Sequence, residues 1–147
     1  MSGEFLGFYE NSVHKMRVII PAPLKSKFSS AAKQTVICTI GSKNKSVVIY
    51  PLDNWNKLKE KLKNGDERDK RLLRHLQYFA CPEQQLEGPG RIRIGDLLLE
   101  ITGIEDTVVI KGEGTFISIW NPDTFKTDRE EMLKDHHRDF DSMDYQV

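Results

Sequence analysis

Short runs of alternating apolar and polar positions recur along the chain, with turn-forming residues between them. Residues 5–10 are aromatic-rich and predict a first strand. Residues 17–20 predict a second, with Val18 and Ile20 on one face and Arg17 and Ile19 on the other. Pro21 and Pro23 end that strand and suit the first turn of a short helix, in which Leu24 and Phe28 share a face. After a loop over residues 29–33, residues 34–39 and 47–50 read as strands joined by a polar turn at 41–46. Asp53 is read as the N-cap of a helix carrying Trp55, Leu58 and Leu62 at helical spacing. Gly65 is read as its left-handed stop. Residues 67–80 predict a second helix, apolar along Leu72, Leu73, Leu76 and Phe79, so that the two make a helical hairpin.

Beyond Pro82 the pattern starts again. Ile92 and Ile94 are expected to face the core, with Arg91 and Arg93 outward. Residues 96–101 predict a short helix stopped by Gly103, and residues 107–111 and 116–120 flank a hairpin signal at Gly112-Glu113-Gly114. Asp123 is read as the cap of a last helix reaching Met132 or Leu133. Residues 134–147 are polar and acidic and read as a frayed or disordered tail.

The two stretches match in order as well as in kind. Arg17 and Arg91 lie 74 positions apart, Thr35-Val36-Ile37 and Thr107-Val108-Val109 lie 72 apart, and Tyr50 and Trp120 lie 70 apart. A steadily shrinking offset is what two similar units with different loop lengths would give. Residues 5–80 therefore read as a first unit with a helical hairpin, and residues 81–133 as a second, although valine-rich strands also resemble one another by chance.

At 147 residues one compact body is the default, since two units of half that size would each have a thin core. No apolar run is long enough to span a membrane, and the N-terminal residues lack the pattern of a signal peptide. With only Cys38 and Cys81, a reducing cytoplasm is the expected compartment. Net charge is zero, but residues 1–80 hold 15 Lys and Arg against 7 Asp and Glu, while residues 81–147 hold 7 against 15. Such asymmetry fits nucleic-acid contact, an acidic tail or head-to-tail association of copies, or simply two solvated faces that differ.

There is no GxSxG, no HExxH and no glycine-rich phosphate loop, so no enzyme and no cofactor are expected. His136 and His137 are adjacent and point apart on a helix, which makes a poor metal clamp, and no metal site is expected. Cys38 reads as a small core residue. The chemistry left is cationic. His14, Lys15 and Arg17 fall within four residues, with Lys25 and Lys27 close by in sequence. Arginine on a strand after a tight turn can reach a phosphate or pair its donors with guanine. A solvated charged turn is the bland alternative.

Phe5-Leu6-Gly7-Phe8-Tyr9 and the following Lys15-Met16-Arg17-Val18-Ile19-Ile20-Pro21 resemble the opening of the MraZ family, which has an F-R-G-x-Y strand, a D-x-x-G-R turn and an apolar strand ending in Pro. Val48 to Trp55 is similar to that family's LYPxxxW segment, Glu87-Gly88-Pro89-Gly90-Arg91 to its second D-x-x-G-R turn, and Ile117 to Trp120 to its xEIW strand. The resemblance covers about residues 5–133. It implies an α+β fold, an AbrB-like swapped-hairpin β-barrel built from two internal repeats with peripheral helices. It implies a cytoplasmic, nucleoid-associated transcriptional regulator. Such a protein assembles into a ring-shaped homo-oligomer and binds double-stranded DNA at short direct repeats ahead of the division and cell-wall gene cluster. Carried over residue by residue, the DNA contacts fall on Lys15, Arg17 and Arg91, and the charge cluster adds His14.

Four departures stand out. Met16 replaces the first turn's glycine, and the segment before Arg17 is one residue short, so its Asp is missing or replaced by His14 or Val13. Glu87 replaces the second turn's Asp, and Leu6 stands where the family has Arg. An Asp orders such turns through its own backbone bonds, so phosphate contact by Lys15 and Arg17 is expected to survive its loss better than base reading. A second function consistent with these changes is an oligomeric protein-interaction scaffold that has lost sequence-specific DNA binding.

Overall fold

A strand apolar on both faces must be covered on both, and that demand sets the layers of this protein. A computed structural model describes residues 1–142. The strands are β1 (Phe8–Ser12), β2 (Arg17–Ile19), β3 (Thr35–Ile40), β4 (Ser46–Pro51), β5 (Gln84–Gln85), β6 (Arg91–Arg93), β7 (Thr107–Gly112) and β8 (Ile117–Trp120). The helices are α1 (Ala22–Lys25), α2 (Leu52–Lys63), α3 (Glu67–Tyr78), α4 (Asp96–Thr102) and α5 (Pro122–Ser142). The class is α+β, as expected.

Six strands form one antiparallel sheet in the order β1-β7-β8-β4-β3-β5, and β2 pairs with β6 in a separate ribbon. The order has a symmetry. Exchanging β1 with β5, β3 with β7 and β4 with β8 reverses the sheet onto itself. Consequently β1 pairs not within its own half but with β7, and β5 pairs with β3. The two halves interlock through the sheet. The closed barrel expected from the resemblance is not found: among the described residues β1 and β5 end an open sheet.

Alternate residues of the sheet fill the main core. Val36, Cys38 and Ile49 meet Ile110, Ile117 and Ile119, and the ribbon adds Val18, Ile20, Ile92 and Ile94. Leu24 of α1 and Leu98 of α4 complete that core. Burying each such side chain is worth about 1.5–3 kcal/mol. The sheet's other face is covered by helices. Ile37 packs with Trp55 and Leu62 of α2 and Leu76 of α3, while Val109 and Trp120 pack with Phe125 of α5. Thr39 donates its hydroxyl to the Leu76 carbonyl at 2.6 Å, tying β3 to α3.

Several expectations are corrected. Asp53 is not a cap: Pro51 holds the N-cap position of α2, and the Asp53 carboxylate instead accepts from Ser2 and Ser29. Asp123 likewise lies in the first turn of α5, and the Asn121 side chain accepts from its backbone N–H at 2.8 Å. Gly65 has no left-handed backbone. It is instead crowded by the capping box at the start of α3, where Asp66 and Asp69 bond reciprocally. The first strand begins at Phe8 because Gly7 turns the chain at φ +90, leaving Phe5 to bridge Gly114 alone. The disordered tail expected from residue 134 is helical as far as Ser142, and the remainder of that tail lies outside the described residues.

Candidate nucleic-acid interface

Period-two alternation builds the site on the β2–β6 ribbon. Arg17 lies opposite Arg93, Val18 opposite Ile92, and Ile19 opposite Arg91. Val18 and Ile92 are buried, so Arg17, Ile19, Arg91 and Arg93 share the outward face. The ribbon is held at both ends by matching bonds: Ile20 N–H donates to the Gly90 carbonyl at 2.9 Å, and Ile94 N–H to the Met16 carbonyl at 2.8 Å. Two side-chain amides brace its outer edges. Asn11 donates to the Ile19 carbonyl at 3.0 Å, and Gln84 both donates to and accepts from the Arg93 backbone at 2.8 Å.

The two arginine-bearing turns differ by one residue. In the first, His14 and Arg17 exchange backbone bonds of 2.9 and 3.0 Å across Lys15 and Met16. Both central residues have positive φ, 51° and 65°, the signs of a type I′ turn, which follows the natural twist of a hairpin. In the second, Glu87 and Arg91 exchange bonds of 3.0 and 2.7 Å across three residues, with Gly88 and Gly90 at positive φ. His14 therefore holds the place that Glu87 holds in the second turn. Gly90 admits close neighbours: a Cβ there would lie 3.0 Å from the Lys25 side chain, whose ammonium donates to the Pro89 carbonyl at 3.2 Å.

Between the turns lies a groove of about 770 Å³, lined by His14, Lys15 and Arg17 from the first turn and Arg91 from the second, with Asn11 and Glu87. All four residues singled out in the sequence thus border one concave surface. The Arg17 guanidinium donates to the Lys15 carbonyl at 3.1 Å, which aims it along its own turn. A cleft dominated by one sign of charge concentrates the field and favours an anionic ligand. Arg93 shares the outward face and was not among the expected contacts, although alternation already placed it outward. Nothing in the sequence marked Asn11 or Gln84 as braces. Lys27 is exposed and does not line the groove.

Other chemistry is not assembled here. Among the described residues no group of three His, Cys, Asp or Glu could hold a metal ion. Burial pushes the Cys38 thiol well above its ordinary range, and neighbouring Cys81 adds to the effect, so this sulfur is a core group rather than a nucleophile.

No family model matches the chain. Individual relatives do. A protein of Acetivibrio thermocellus named transcriptional regulator MraZ is 34% identical over 120 residues, covering 80% of each chain. The chain belongs to the MraZ family. An Oenococcus oeni relative of the same name is 31% identical over 83% of this chain and 84% of its own, and one from Hydrogenovibrio crunogenus is 26% identical over 81% and 80%. In this chain Gly90 precedes Arg91 in the second turn, and Met16 precedes Arg17 in the first, which has one residue fewer between its bonded ends. Leu6, where the resemblance calls for Arg, is exposed.

Proposed function

We propose that this MraZ protein is a transcriptional regulator that binds double-stranded DNA through the groove between its two arginine-bearing turns. Arg17, Arg91 and Lys15 make the contacts, with His14 beside them. The juxtaposition of both turns on one face of the ribbon is the observation that carries this reading. Its target is short direct repeats ahead of the division and cell-wall gene cluster, and it works in the cytoplasm on the nucleoid. Several copies act together in a ring, so that individually weak contacts add through effective concentration. The symmetric strand order supports two duplicated units that exchange hairpins within one chain. Arg91, on the glycine-bearing turn, is assigned to base reading, and Lys15 and Arg17, on the shortened turn, to phosphates. No helix among the described residues is long and apolar enough to cross a membrane.

A gel-shift with DNA from upstream of the cell's own division cluster tests this. The natural chain is expected to bind specifically, and Arg91→Ala to lose about 1–3 kcal/mol of discrimination at its base. Binding to no such DNA by a folded, assembled protein would support the scaffold reading, which the left-handed Met16 in the first turn favours.

A further inference from the structure

The ribbon's own pairing leaves backbone groups on its outer edges. Ile20 N–H bonds to Gly90 and Ile94 N–H to Met16, so bonded positions alternate with Ile19 and Arg93, whose N–H and C=O point away from the partner strand. These are the groups that two side-chain amides take. Asn11 Nδ2 donates to the Ile19 carbonyl at 3.0 Å. Gln84 Nε2 donates to the Arg93 carbonyl, and its Oε1 accepts from the Arg93 N–H, both at 2.8 Å. The two amides hold matching places. Asn11 of β1 lies opposite Val108 and Gln84 of β5 opposite Val36, and these valines are 72 positions apart, the offset that relates Thr35 to Thr107. Their targets, Ile19 and Arg93, are 74 apart, as are Arg17 and Arg91. One device is used twice.

Each amide acts across the ribbon. Ile19, held by Asn11, lies opposite Arg91, and its neighbour Ile20 bonds to Gly90 in the second turn. Arg93, held by Gln84, lies opposite Arg17, and its neighbour Ile94 bonds to Met16 in the first turn. The Arg93 guanidinium also lies 3.9 Å from the Met16 sulfur. The edge strand of one half thus fixes the strand on which the other half's turn rests. A two-stranded ribbon is marginal by itself, and reading a base edge needs a rigid support. We infer that Asn11 and Gln84 are positioning residues for DNA recognition and work crosswise: Asn11 sets Arg91, and Gln84 sets Arg17. Asn11 borders the groove, but both its polar ends are committed, Nδ2 to Ile19 and Oδ1 to the Ser12 N–H at 2.8 Å. Its part is to hold the ribbon rather than to make the contact. The inference rests on the DNA reading proposed above and names the residues that stand behind its two arginines.

The near-isosteric variants Asn11→Leu and Gln84→Met remove the amides, and two measurements test the assignment. Hydrogen exchange on the free protein reads the crossing without DNA. Gln84→Met should speed exchange at the Ile94 N–H and leave Ile20 protected, and Asn11→Leu should do the reverse. Equal loosening of both positions in both variants, or no change at either, would overturn the clamps. Fluorescence anisotropy with a duplex of direct repeats then reads the function, with each variant alone and combined with Arg17→Ala or Arg91→Ala. Each amide variant should weaken binding roughly two- to tenfold, the net worth of a hydrogen bond. For Gln84→Met most of that loss should vanish once Arg17 is alanine and persist once Arg91 is. For Asn11→Leu the two backgrounds should exchange roles. Additive losses in all four combinations, or coupling of each amide to the arginine of its own half, would overturn the positioning role and leave the DNA reading standing. A natural chain that binds no such duplex would overturn the DNA reading and, with it, the role of the amides.

Discussion

Arg17 pairs with Arg93 across the ribbon, so that two guanidinium groups of like charge face the same solvent. Like charges directly opposed on a sheet oppose folding by roughly 0.2–1 kcal/mol, and a scaffold selected for stability alone would not keep them. Arg93→Thr should therefore raise the unfolding midpoint slightly. It should also weaken DNA binding at all sequences and lower the salt slope by about one. Thermal unfolding and a salt titration on the same variant check both halves. A gain in stability with undiminished binding would remove Arg93 from the interface.

Met16 sits in the left-handed region at φ 65 without being glycine. That backbone costs an L-residue about 1–2 kcal/mol, part of which glycine's greater unfolded freedom takes back. Met16→Gly is expected to stabilise the protein by about 0.5–1 kcal/mol in urea unfolding. A destabilised variant would mean that the Met16 side chain, whose sulfur lies 3.9 Å from the Arg93 guanidinium, holds the turn more firmly than its backbone strains it.

Asp53 makes the fold sensitive to acid. Burial works against its carboxylate, yet bonds from the Ser2 backbone, the Ser29 and Ser2 hydroxyls and the Asn54 backbone together hold it below its ordinary 3.8. In that window the unfolded chain binds more protons than the folded one, so stability rises with pH. The contribution is complete above 3.8 and is lost as pH falls through the lower folded value. Asp53→Asn should flatten this limb of a stability–pH curve measured by denaturant unfolding. It should also loosen Ser2, which is buried against the carboxylate.

Gly112 is required by close approach rather than by its dihedral angle. A Cβ there would lie 2.4 Å from the backbone of Phe5 and Leu6, where the N-terminal segment crosses β7. Gly112→Ala should cost about 1–3 kcal/mol by displacing that backbone, and hydrogen exchange should report faster opening at Phe5, whose N–H bonds to the Gly114 carbonyl at 2.9 Å.

The elements that announce themselves by local pattern were legible in the chain. Alternation located β2 and β6 and set Arg17, Arg91 and Arg93 outward, and Gly103 stops α4 at φ +69 as its position suggested. What stayed hidden depends on residues far apart in sequence. Asp53 looks like a cap until Ser2, 51 positions away, is seen to take its carboxylate. The exchange of β1 and β5 between halves leaves no local signature, nor do the amide braces of Asn11 and Gln84. The end of α5 is polar and acidic like a loose tail, yet residues 134–142 carry no proline or glycine to stop the helix.

Fluorescence anisotropy with a duplex of direct repeats, titrated across salt concentrations, addresses the central claim most directly when the natural chain is compared with the double variant Arg17→Ala and Arg91→Ala. The groove predicts steep salt dependence for the natural chain. In the double variant affinity should collapse, and the slope should shrink by about 0.9 for each phosphate that is no longer neutralised. Equal affinity and an equal slope in the two proteins would contradict DNA binding through this ribbon.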